Sequence, residues 1–121
     1  MIAPRFTTAP TLADLEVLAD RALATLPPAF LAPLGGVAIR VEDFPDEETI
    51  EEMDLESDFD ILGLYRGIDL AHGGLHDVRT ALDVILLYRR PILDYWCETG
   101  EDLADIVRHV LIHEIGHHLG L

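Results

Sequence analysis

The 121-residue sequence predicts one small domain that mixes helices with short strands. Two observations predict it. Apolar residues recur at helical spacing near both ends, over 11–26 and again between Thr99 and Gly120. Between them lie three apolar runs of strand length, at 37–41, 61–67 and 84–89, set off by glycine, proline and acidic residues. A chain this long buries roughly two-thirds of its unfolded surface, enough for one modest core without disulfides. Half of its residues are hydrophobic, which excludes a disordered chain.

The first helix is expected over Thr11 to Leu26. Leu12, Leu15, Leu18 or Ala19, Ala22 and Leu26 fall on one stripe; Thr11 is a suitable N-cap, and Pro27-Pro28 stops the helix. Gly35-Gly36 opens a strand, Val37 to Val41. The stretch from Glu42 to Asp60 carries eleven carboxylates in nineteen residues. Phe44, Ile50, Met53 and Leu55 could pin a short helix through it, with Pro45 near its start. This segment reads either as a solvated acidic connection or as a docking surface for a basic partner. ILGLYRG at 61–67 is the second strand, and a loop with Gly73-Gly74 follows. VILLYR at 84–89 is the third strand and ends before Pro91, which cannot continue a central ladder. ILDYWCETG then reads as a connection, with Trp96 as a partly buried core residue. Thr99 can cap the last helix with Asp102 at the N3 place of a capping box, and Glu101 and Asp102 suit the positive end of its dipole. Leu103, Ile106, Val107, Val110 and Leu111 form its apolar stripe, and Gly120 suits the turn that ends it.

Composition excludes several functions. The formal net charge of -15 repels nucleic acid phosphate and anionic lipid, so neither is an expected partner. No apolar stretch approaches the roughly 20 residues of a membrane span. The start, MIAPRFTTAP, has no apolar signal core, and Cys97 is the single cysteine. Together these predict a cytoplasmic protein.

The last helix carries the chemistry. His113 and His117 are four residues apart, so both project from one helix face. Two imidazoles at that spacing can reach one Zn²⁺ at about 2.0–2.1 Å. Glu114 is turned to the side, better placed to take a proton from a water on the metal than to bind the metal itself. The pattern is H-E-x-x-H: two metal ligands and a general base. It implies hydrolysis of a peptide or amide bond, with the proton passed on to the leaving amine. His109 lies on the same face and reads as a surface residue. His118 is turned about 100° from His117 and reads as a partly buried histidine near the helix end. A purely structural zinc would need a closed set of four ligands, and Cys97 alone does not supply it.

With that helix placed, HEIGHHLGL resembles the zincin metallopeptidases in the form H-E-x-x-H-x-x-G. More narrowly, the chain resembles the small bacterial minimal zincin family of possible zinc metallopeptidases. The residues that carry the likeness are VEDFPDEE at 41–48, ILGLYRGIDL at 61–70, VILLYRRPIL at 84–93 and EDLADIVRHVLIHEIGHHLGL at 101–121. The resemblance implies an α+β domain, a small three- to four-stranded sheet packed on the N-terminal helix and the C-terminal zinc-binding helix. It implies His113 and His117 as metal ligands, Glu114 as catalytic base, Gly120 as the turn under the metal, and an acidic third ligand three residues after that glycine. That position would be 123, and the sequence ends at Leu121. A longer natural chain, completion by His72, His76, Asp77 or the Leu121 carboxylate, or an incomplete site each accounts for this. The expected partner is a peptide or protein substrate, which the strand at 84–89 could bind as an added strand. The alternative is a non-catalytic acidic module that docks on a basic protein.

Overall fold

The computed structural model describes residues 8–32, 36–69 and 81–119. Its elements run α1 (Leu12–Ala24), α2 (Pro28–Leu31), β1 (Val37–Glu42), α3 (Glu47–Glu52), β2 (Gly63–Asp69), β3 (Ala81–Tyr88), α4 (Arg89–Thr99) and α5 (Leu103–His118). This is the α+β arrangement expected, with three strands among the described residues.

Helix α1 begins at Thr11 because a full capping box forms. The Thr11 hydroxyl accepts from the Asp14 N–H, and the Asp14 carboxylate accepts from the Thr11 N–H at 2.8 Å. Leu15, Ala19, Ala22 and Leu26 are buried, as the stripe requires, whereas Leu12 is among the exposed large hydrophobics. Alanine at two of these positions removes bulk on the face that meets α5, the helix α1 packs against most extensively. Fully burying Leu15 contributes about 1.5–3 kcal/mol.

The sheet order is β1-β3-β2. β3 pairs parallel with β1 and antiparallel with β2. The run VILLY therefore sits in the central strand, where Val84, Ile85, Leu87 and Tyr88 are all buried. A continuous apolar run is what burial on both faces of a sheet demands. This overturns β3 as the strand that adds a peptide, since both of its edges are already paired. Among the described residues, β2 leaves one edge unpaired, and β2 is the strand that α5 packs against most.

Two further expectations are corrected. Residues 92–100 are not a connection: α4 runs from Arg89 to Thr99 and ends at Gly100, whose φ of 71° suits a residue without Cβ. Pro91 falls in its first turn, where a missing N–H costs nothing. Trp96 packs partly buried against the core, as expected. The cap of α5 is Asp102, whose carboxylate accepts from the Asp105 N–H at 3.2 Å; Thr99 closes α4 instead. In the acidic stretch, α3 starts at Asp46, which accepts from the Thr49 N–H at 2.8 Å. Thr49 is its buried residue, while Met53 is exposed. No helix among the described residues is long and apolar enough to cross a membrane.

Candidate metal centre

α5 is built in two parts. Leu103, Ile106, Val107, Val110, Leu111 and Ile115 are buried in the core, so the helix is anchored along most of its length. That anchoring turns His113 and His117 outward on one flank, where both are exposed. Their ring centroids are 4.4 Å apart with planes tilted by 55°. Glu114, one residue round the helix, is turned inward and is only 8 % exposed. Its carboxylate lies 3.8 Å from the His117 Nδ1.

Glu114 reaches the sheet at a defined place. The Leu62 carbonyl accepts from the Tyr88 N–H at 2.9 Å. Antiparallel pairing alternates, so Leu64 and Arg66 turn their backbone groups to β3, and Gly63, Tyr65 and Gly67 turn theirs to the other edge. The outward N–H of Tyr65 faces the Glu114 carboxylate. Burial pushes the Glu114 pKa up. The neighbouring His113 and His117 and the Tyr65 N–H pull it back without cancelling the rise.

This approach of α5 to β2 requires Gly63. A Cβ there would stand 2.7 Å from Val110 Cγ1 and 2.9 Å from the Leu86 carbonyl oxygen. The sequence showed the glycine but not this close contact, which depends on sheet order and helix position together.

Donor atoms of His113, Glu114 and His117 all lie within 4.8 Å of one another, and they are the group among the described residues able to hold a metal ion. Tetrahedral ligands at about 2.0–2.1 Å from zinc are themselves about 3.3 Å apart, so small ring rotations bring the two imidazoles to that spacing. The residues present fit zinc with two ligands. His72, His76, Asp77, Gly120 and Leu121 lie outside the described residues, as does the expected Gly73-Gly74 loop. His118 is the last residue of α5, and its side chain is likewise outside the described set.

Beside the group runs a groove of about 650 Å³ between α5 and the start of β2. His109, His113, Glu114 and His117 line it, so His109 is an exposed residue of the groove. Met53, Asp60 and Tyr95 contribute from outside α5, and no local sequence pattern marked them.

Residues 34–121 match the model of a family described as zincin-like metallopeptidase. The chain belongs to that family. Among solved structures, it is similar to a conserved hypothetical protein from Thermo thermophilus, at 28% identity and a TM-score of 0.57. That alignment covers 91% of this chain and 94% of the other. No match is found among curated proteins.

Proposed function

We propose that this zincin-like chain is a zinc-dependent peptidase in which His113 and His117 bind the metal and Glu114 is the general base. The observation that carries the reading is the convergence of two exposed imidazoles on a buried carboxylate at the wall of an open groove. Zinc held there supplies the Lewis acidity that activates water near neutral pH and polarises a carbonyl. Glu114 accepts the proton of the attacking water and delivers it to the leaving amine. Burial favours that role, because a carboxylate with a raised pKa both takes and returns a proton more readily near neutral pH. The Tyr65 N–H faces that carboxylate. The edge of β2 that is unpaired among the described residues, rather than β3, is where an extended substrate backbone would pair.

Two measurements test this together. Zinc per chain is determined by elemental analysis on untagged protein, with His113→Ala as the control. Hydrolysis of a mixed peptide pool is followed by mass spectrometry. Glu114→Gln is expected to retain zinc and to lower hydrolysis by about 10²–10⁴-fold. Cleavage that survives Glu114→Gln removes Glu114 from the base role. Zinc content unchanged in His113→Ala removes the metal site. A chain that binds a basic protein equally well with and without Glu114→Gln, and cleaves nothing, is the non-catalytic acidic module.

A further inference from the structure

The groove beside the metal group has two unlike ends. At one end stand His113, Glu114 and His117. Along its middle the walls are apolar, with Ile61, Leu62 and Leu64 on one side and Ile106 and Val110 on the other. Toward the other end three carboxylates line it: Asp105 in the first turn of α5, Glu101 just before that helix, and Asp60 ahead of β2. None of the described groove-lining residues is Arg, and the chain contains no Lys.

One of these carboxylates is held in position. Asp60 accepts from the N–H groups of Glu56 and Ser57 at 2.9 and 3.1 Å. Tyr95, 39% exposed, lines the same groove. The described walls of the groove hold no arginine or lysine to answer these charges. An exposed tyrosine face beside them adds a surface on which a guanidinium can rest.

We infer that the groove selects peptides carrying a basic side chain, arginine above all, three or four residues from the bond that lies over the histidine pair, with apolar residues between. The inference rests on the peptidase reading for the location of that bond. The spacing follows from the helix. From His113 back to Asp105 is eight residues of α5, about 12 Å, which an extended peptide covers in roughly four residues. Apolar side chains of the peptide then lie against Ile106 and Val110, and the basic head reaches the carboxylates. A planar guanidinium suits this end better than an ammonium, because it can engage two carboxylates and an aromatic face together.

Binding is measured on the Glu114→Gln chain with zinc added, so that peptide persists whether or not the native chain cleaves it. The probes are blocked, fluorescein-labelled hexapeptides with an alternating Leu-Ala body. One terminal residue is arginine or glutamate, placed in turn at either end. Fluorescence anisotropy gives the affinities. The arginine peptide in one of the two orientations is expected to bind about three- to tenfold more tightly than its glutamate counterpart, and the difference shrinks in high salt. Adding Glu101→Gln and Asp105→Asn should abolish the preference. Adding Glu98→Gln and Asp20→Asn, equal in charge but outside the groove, should keep it. Circular dichroism checks that each variant retains its helices.

Equal affinity for arginine and glutamate peptides overturns the inference. So does a preference that survives the Glu101→Gln, Asp105→Asn pair, because it then arises from the overall charge of -15. The peptidase reading stands or falls separately. A charge preference lost in the groove variant, beside a native chain that cleaves nothing, keeps the groove and removes the hydrolysis. Cleavage by the native chain without any charge preference does the reverse.

Discussion

Two hollows among the described residues treat charge in opposite ways. The smaller, about 150 Å³, is bordered by Arg40, Glu42, Asp46, Thr49, Arg66 and Tyr88. Its charges answer one another. Arg40 pairs with Glu42 at 3.3 Å, Arg66 pairs with Glu52 at 3.2 Å, and Asp46 caps α3 through Thr49. The larger, beside α5, holds acidic side chains with no arginine among its described walls, and the buried carboxylate of Glu114 faces two imidazoles. Charges that satisfy each other stabilise a fold and leave little for a ligand. Charges left facing a cavity cost folding energy and keep their interactions available. On the proposed reading, the comparison separates a structural hollow from a substrate groove.

The sharpest way to break the comparison is to push α5 away from the larger hollow. Gly63→Ala places a methyl group against Val110 Cγ1 and against the Leu86 carbonyl, and the backbone oxygen has no rotamer by which to yield. A loss of about 1–3 kcal/mol is expected in urea denaturation. Zinc retention should fall with it, since Glu114 and Tyr65 meet across that same contact. Gly67→Ala on the same strand is the control. The nearest atom to its added Cβ is Asp83 Oδ1 at 3.6 Å, an ordinary contact, and its effect should stay within about 0.5 kcal/mol. Equal effects at the two glycines would mean that the helix–strand approach does not shape the groove.

The clustering of His113, Glu114 and His117 on α5 was legible in the sequence, and the groove was not. His113, Glu114 and His117 lie within one turn, and the buried stripe from Leu103 to Leu111 repeats at helical spacing, so local periodicity contains both. The capping box at Thr11 is equally local. Helix α4 was hidden because a strand-like run leads straight into Arg89, no side chain caps its start, and Pro91 reads as a stop although a first helical turn accepts it. Ile92, Leu93 and Trp96 were the missed signal, spaced for one face and followed by Gly100. Sheet order could not be read, because nothing in β1 or β2 states that β3 will lie between them. The groove depends on that order, with walls drawn from β2, α4, α5 and the segments that join them, so it has no signature in any one segment.

A second test sets the two hollows against each other through pH. Glu114 has its pKa raised, chiefly by burial, whereas Asp46 has its pKa lowered by the hydrogen bonds from Thr49. In the metal-free chain, the folded state therefore binds the Glu114 proton more tightly than the unfolded state does. That contribution is fully favourable below the ordinary value of 4.5 and is lost as pH rises through the raised one. Asp46 does the opposite, stabilising above its ordinary value of 3.8 and losing that effect as pH falls. With chelator present, Glu114→Gln should raise the melting temperature at neutral pH, and Asp46→Asn should lower it. Both differences from the native chain should fade as pH drops below the ordinary carboxylate range. A Glu114→Gln chain that melts below the native chain at pH 7 would show that the carboxylate is held by more than it costs to bury.

The smallest effect is expected where the charges are already matched. The Arg66–Glu52 pair has side chains 36% and 48% exposed, and the Arg40–Glu42 pair 64% and 36%. Exposed pairs of this kind contribute about 0–1 kcal/mol, because solvent screens the attraction and two long side chains must be ordered. Arg66→Ala and Arg40→Ala should each change stability in urea by no more than about 0.5 kcal/mol and leave zinc content unchanged. Their value lies in what accompanies the result. Each variant makes the chain one unit more acidic without touching the groove, so the arginine-peptide preference should persist. If removing Arg66 alters that preference as strongly as removing Glu101 and Asp105 does, the field of the whole chain selects the peptide. The two hollows then differ in position and not in purpose.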